Sequence, residues 1–176
     1  QRELLARLNP ATGMWGDAPR GDPAWRSRMV QFAYHLYPIL FFDGLGITSG
    51  ATLEAALAET LATQNAYGGF GLGDASSACE DIDSIEILVR LGRGRPAVDR
   101  ALLRALAWVL VNQNSDGGLV FRRGQPLSYG HAELSAAAGE SELFSTWFRM
   151  LTVVRIVFGL GGADHRQPLR APGYYF

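Results

Sequence analysis

The chain has one cysteine, Cys79, in 176 residues. That excludes an internal disulfide framework and fits a reducing compartment. An excess of charge of one sign is also missing: 16 basic against 17 acidic residues leave a formal net charge of −1. This balance gives no electrostatic basis for holding nucleic acid or an acidic membrane surface. No charged-then-apolar leader opens the sequence. The longest apolar stretches are broken by Arg, His or Thr, so none reads as a clean membrane span. Strand-period runs never exceed a few residues, which argues against a sheet. Neither a Ser-His-Asp arrangement nor a P-loop signature occurs. These absences leave a cytoplasmic, all-α, single domain over residues 1–176. Its hydrophobic content of 48% is sufficient for a packed core.

What is present is a short phrase used three times. It reads Asn9-Pro10-Ala11-Thr12-Gly13-Met14-Trp15, Asn65-Ala66-Tyr67-Gly68-Gly69-Phe70 and Asn114-Ser115-Asp116-Gly117-Gly118-Leu119. Gln64 and Gln113 precede the last two copies, and Leu8 precedes the first. Each phrase closes an Ala/Leu-rich helical stretch and is followed by a second one. The glycines let the first helix end in a left-handed conformation and the chain reverse. The large residue after them plugs the space between neighbouring helices. Six helices are predicted: 1–9; from the Asp22 N-cap and Pro23 to Phe42, ended by Asp43-Gly44; from Ser49 or Thr52 to Gln64; from the Ser77–Glu80 capping box to Leu91-Gly92; from Pro96 to Gln113; and from a Ser141 cap to about Leu160. The unit is helix, Gly-rich turn, helix, so the chain reads as about three helical hairpins. It begins inside the first helix of a repeat, and a longer parent protein is expected.

The three phrases resemble the Q-x-x-x-G-(F/W) repeats of the terpenoid cyclase and protein prenyltransferase superfamily, along nearly the whole chain. The resemblance implies an α/α toroid-like array in which inner helices line a central cavity. Three hairpins would make a partial ring, its apolar edge covered by an upstream domain or a second copy of the chain. Glu80-Asp81-Ile82-Asp83-Ser84 resembles the D-x-D-D stretch of class II cyclases such as the squalene–hopene cyclases, with Ser84 in place of the last acid. That likeness puts the proton donor of those enzymes at Asp83 and their first acid at Asp81. Glu86 and His35 would tune the acid or relay protons.

Helical spacing supplies a separate reading. At 100° per residue, Ser27, Arg28, Gln31, Tyr34, His35 and Pro38 share one arc of the second helix. Cys79, Asp83, Glu86 and Arg90 share an arc of the fourth, and Ser145, Arg149 and Thr152 an arc of the sixth. Each helix is apolar elsewhere. A ring accounts for this if every inner helix turns one narrow stripe to the cavity. The alternative is a solvated stripe on a plain helical array, with Glu86 and Arg90 as a surface pair. Counted from Trp15 and Phe70, Arg28 matches Asp83, Gln31 matches Glu86 and His35 matches Arg90. Asp81 falls on a different arc from Asp83. It is better explained by the positive end of the helix dipole.

A cavity guiding carbocations needs aromatic faces. Tyr34, Phe42, Phe70, Trp15 and Trp147 are candidates, whereas Trp108 and Phe148 read as core. Arg28, Gln31, Tyr34, Arg90, Trp147 and Arg149 form the candidate substrate-binding set. The long loop from Val120 to Glu140 has the length of a lid, and its Arg122 and Arg123 suit a diphosphate. Cys79, Asp81 and His131 are the only conceivable zinc ligands. Their order is reversed relative to the prenyltransferases, and no metal or other cofactor is expected. The expected ligand is an isoprenoid or another apolar small molecule, with contact to a membrane periphery. The alternatives left open are a non-catalytic accessory or binding domain and a zinc-dependent prenyltransferase.

Overall fold

The structure, a computed structural model, describes residues 2–16, 21–42 and 50–161. Among these the chain is mainly helical: α1 (Arg2–Ala6), α2 (Pro23–Phe42), α3 (Gly50–Leu61), α4 (Ala78–Gly92), α5 (Pro96–Leu110) and α6 (Leu143–Leu160). The start signals act as the sequence suggests. The Asp22 carboxylate accepts the backbone N–H groups of Ala24 at 2.9 Å and Trp25 at 3.3 Å. Ser77 and Glu80 close a reciprocal capping box at the start of α4. Helix α6 is the exception. Its cap is Glu142, whose carboxylate accepts Ser145 N–H at 2.6 Å, and Ser141 stands one residue outside. Helices α3 and α5 stop earlier than expected because the chain tightens. Thr63 and Gln64 bond back three residues, and so do Asn112 and Gln113. Helix α1 is likewise shorter than residues 1–9. The expected end of α2 at Asp43-Gly44 and the Ser49 start lie outside the described residues.

The repeated phrase is a repeated structure. Asn65 N–H donates to Gly69 O and Asn114 N–H to Gly118 O, both at 2.8 Å. The Gln64 side chain reaches Gly68 O at 2.9 Å, and Gln113 reaches Gly117 O at 3.0 Å. Bridges join Gln64 to Phe70 and Gln113 to Leu119. In the first copy the same closure widens into a ladder, β1 (Leu8–Asn9) against β2 (Met14–Trp15), with Leu8 opposite Trp15. A second ribbon, β3 (Leu127–Ser128) with β4 (Ser135–Ala136), lies in the long loop. Two residues per strand are too few to show a period of two, so neither ribbon is visible in the sequence pattern. Gly68 and Gly117 take φ of +102° and +85°. Gly69 is needed for closeness instead: a Cβ there would overlap the Ser76 hydroxyl and the Trp108 ring nitrogen.

Helix α4 is the centre of the molecule. It packs on α2 to one side and α6 to the other, with α3 and α5 laid against these three. Eleven of its 15 residues are buried, so almost its whole circumference meets protein. Ile82, Ile85, Ile87 and Leu88 are essentially inaccessible, each contributing about 1.5–3 kcal/mol by burial. On the α2 side the core holds Met14, Trp15, Val30 and Tyr37, with Trp15 edge-on to Tyr37 at 5.2 Å. Towards α5 and α6 it holds Phe70, Leu102 and Ile156. Trp15 and Phe70 are therefore core plugs, and they contribute no face to a cavity.

Candidate functional site

The neighbouring acids on α4 have different surroundings, as their separation around the helix requires. Asp81 is wholly buried and ion-paired with Arg149 of α6, also wholly buried. The other Asp81 contacts are backbone N–H of Phe70 at 2.8 Å, the Ser76 hydroxyl at 2.8 Å and the Trp108 indole N–H at 3.1 Å. Arg149 spends its remaining donors on the carbonyls of Phe121, Ser76 and Val120, at 2.9, 3.0 and 3.3 Å. Burial pushes the Asp81 carboxyl upward, and the Arg149 guanidinium and these hydrogen bonds oppose it. Burial lowers Arg149 against the same partner. Asp81 and Arg149 thus join α4, α6 and the repeat turn. Ser145 and Thr152, on the Arg149 stripe, are buried with it. This stripe of α6 turns to protein: Arg149 is satisfied by the ion pair and Thr152 by the Phe148 carbonyl, while the buried Ser145 hydroxyl has no partner among the described residues.

Asp83 lies on the wall of a cavity of about 970 Å³ between α2, α4, α6 and the long loop. Burial pushes its carboxyl well above the ordinary range, and the nearby Glu80 and Asp81 push it further. No cation among the described residues offsets them, so the neutral acid is favoured. Gln31, Tyr34 and His35 reach the same cavity from α2, and Trp147 reaches it from α6. Tyr34 is pushed up to about 12, first by burial and then by the charges of Asp83 and Glu86. Cys79, one turn before Asp83, also lines the cavity, and its thiol is pushed up to about 12, chiefly by burial.

The other candidates fall elsewhere. Glu86 is buried behind the cavity wall and pairs with Arg90 of its own helix and with Arg155 of α6, the latter at 2.8 Å. Arg90 is exposed and stacks over Phe41 at 5.5 Å. The Glu86–Arg90 pair thus joins an exposed arginine to a buried acid that a second, buried arginine also holds. Arg28 is exposed and lies over Trp25 at 5.9 Å, away from the cavity lining. Trp108 is buried against Asp81, whereas Phe148 is half-buried and lines the cavity, contrary to its reading as core. Its ring packs at 4.6 Å from Phe144 and at 4.7 Å from Trp147.

The long loop supplies what helical spacing missed. Phe121, Arg122 and Tyr129 form part of the cavity wall, and Tyr129 lies 5.1 Å from Phe144. Arg122 pairs with Glu80 at 2.7 Å. Arg123 binds the Val111 carbonyl and the Asn114 side chain at 2.7 and 3.0 Å, so it serves the turn. His131 is exposed and caps a short 3-10 turn, Ala132–Leu134, far in role from Cys79 or Asp81. Among the described residues no three His, Cys, Asp or Glu side chains gather to hold a metal ion. The chain contains no lysine, so it offers no side-chain amine for a Schiff base. Helix α6 is long and apolar enough to cross a membrane by length and composition, with a mean hydropathy of 1.5. Its two arginines are nevertheless both paired with acids of α4. No family model matches the chain, and no curated protein matches it.

Proposed function

We propose that the cavity beside α4 binds an apolar molecule of isoprenoid type and that Asp83 donates its proton towards an oxygen on that molecule. The observation carrying this reading is a buried carboxyl, held well above the ordinary range by burial, in a wall of aromatic rings. A raised acid keeps its proton at neutral pH but gives it up reluctantly. It therefore suits an oxygen acceptor such as an epoxide better than a bare alkene. Protonation of the epoxide oxygen opens a C–O bond and leaves the Asp83 carboxylate. The electron pair of a nearby alkene then closes a C–C bond onto the electron-poor carbon. The final cation loses a proton to water, and the product is an isomer of the substrate. The faces of Tyr34, Phe144, Trp147 and Phe148 favour positive charge on the way. Tyr34, Gln31 and His35 would orient the oxygen. In this reading α2, α4 and α6 are inner helices of a partial α/α ring, with α3 and α5 outside. A second copy or a further segment would complete it, in a reducing compartment at the periphery of a membrane.

A second reading is a binding domain without catalysis. It is favoured by Ser84, buried where the class II motif has its last acid, and by the lack of a cation that would strengthen Asp83. The test is to incubate the protein and Asp83→Asn with the terminal epoxide of geranylgeraniol, following products by mass spectrometry and binding by calorimetry. The expected result is cyclised product from the unmodified protein and its loss in the variant. Full product from Asp83→Asn removes the acid role. Binding without product from either protein selects the second reading.

A further inference from the structure

A second cavity of about 490 Å³ opens beneath the β3–β4 ribbon. Leu127 and Leu134 approach it from the ribbon and Leu143 from the start of α6. Phe144 and Trp147 line this cavity and also the main one, so the two spaces meet at the same pair of rings. The charged side chains on its wall, Glu133 and Glu142, are both acidic. Arginine appears only on the wall of the main cavity, as Arg122. We infer that the ribbon cavity holds the far end of a long apolar chain whose oxygen-bearing end lies at Asp83. The inference rests on the main-cavity reading given above.

Three features point the same way. Either cavity alone has the volume of one small ligand; a chain extended across both buries more apolar surface than one lying in the main cavity. The two cavities adjoin at the shared aromatic pair, so a chain running from one to the other would pass along Phe144 and Trp147. Two carboxylates at the ribbon disfavour an anionic group there. The occupant of that end is therefore not anionic, and Leu127, Leu134, Leu143 and the two rings suit hydrocarbon there, with the oxygen placed beside Gln31, Tyr34 and Asp83 at the other end. The ribbon then measures length: a short chain lies within the main cavity, and a longer one extends past Phe144 and Trp147 to the leucines of the ribbon.

The test compares geraniol, with two isoprene units, and geranylgeraniol, with four, by titration calorimetry. Leu143→Glu places a charge on the wall of the ribbon cavity. Position 143 is the first residue of α6 and 84% exposed, where an acid suits the helix dipole and folding is retained. Leu134→Glu repeats the change from the ribbon side. The expected result is a loss of about 10-fold or more in affinity for geranylgeraniol in both variants. Geraniol binding should stay unchanged. Equal losses for both chains, or none for either, overturn the inference and leave the main-cavity reading standing. Failure of the unmodified protein to bind either alcohol overturns both.

Discussion

Asp81 and Thr146 occupy the same place in successive repeats. The Asp81 carboxylate accepts the N–H of Phe70 at 2.8 Å, and the Thr146 hydroxyl accepts the N–H of Leu119 at 2.9 Å. Phe70 and Leu119 are the residues that close the second and third repeat turns, the two with Gly-Gly. The repeat thus asks for an acceptor on its second helix, four residues after the helix cap, Ser77 in one case and Glu142 in the other. The acid at Asp81 is first a turn lock, and its pairing with Arg149 is an addition peculiar to that repeat.

Removing that acid should be far costlier than removing the hydroxyl. Asp81→Ala strands the buried Arg149 charge and is expected to destabilise by about 3–5 kcal/mol. Thr146→Ala strands one backbone N–H, at about 1–3 kcal/mol. Urea unfolding monitored by circular dichroism gives both values. A smaller loss in Asp81→Ala than in Thr146→Ala contradicts the assignment.

Asp83→Asn should stabilise the protein near neutral pH. The folded-state carboxyl is raised, so between the unfolded value and the folded one the native state binds more protons. Its stability therefore falls as pH rises through that window and levels off above it. Asparagine does not titrate. The variant should melt higher by roughly 2–4 °C at neutral pH, the shift that ~1 kcal/mol produces in a domain this large. The difference should vanish below the unfolded carboxylate value of about 4. A constant difference across all pH would exclude titration of Asp83 as its cause.

Cys79 should alkylate slowly. A thiol pushed up to about 12 carries little thiolate at pH 8, and the thiolate is the reactive form. Iodoacetamide labelling in the folded protein should be on the order of 100-fold slower than in urea. Geranylgeraniol in the cavity should slow it again. Labelling at the unfolded rate would show that the cavity wall is open to solvent.

Two glycine variants separate crowding from backbone strain. Gly69→Ala brings a methyl group onto Ser76 and Trp108, beside the Asp81 cluster. Gly73→Ala meets open space and pays only for a φ of +75°. The first should cost several kcal/mol and the second about 1 kcal/mol. Thermal melts rank the two directly, and similar losses would place the demand of the Gly-Gly turn in its backbone alone.

Much of the architecture was legible because it depends on local chemistry. The Asp22-Pro23 start, the Ser77–Glu80 box and the three glycine turns are short-range devices with fixed spacing, and each stands where its residues put it. The aim of the helical stripes was less legible. A polar stripe on an apolar helix looks the same whether it meets a cavity, as with Gln31, Tyr34 and His35, or a buried partner, as with Arg149. Choosing between them needs the opposite helix, which periodicity does not contain. Phe144 and Phe148 illustrate the converse: aromatic residues at helical spacing resemble core until a loop folds over them and leaves a space. The adjacent arginines 122 and 123 also diverge, one to Glu80 and one to the turn carbonyls. Nothing in their sequence separates them.

The donors of Arg149 reach the carbonyls of Val120 and Phe121, and no further along the loop. Up to that point the loop is fastened to the helices; beyond Gly124 it is a ribbon that returns to the third repeat turn at Gly139 and Ser141, which bond Asn114 and Asp116. Changes of length or composition between Gly124 and Ala136 leave the repeat turns and the buried ion pair in place. The ribbon that borders both cavities is therefore free to vary without disturbing the helices that carry it. Related chains with other ribbons would share one helical frame and differ in which molecules they admit.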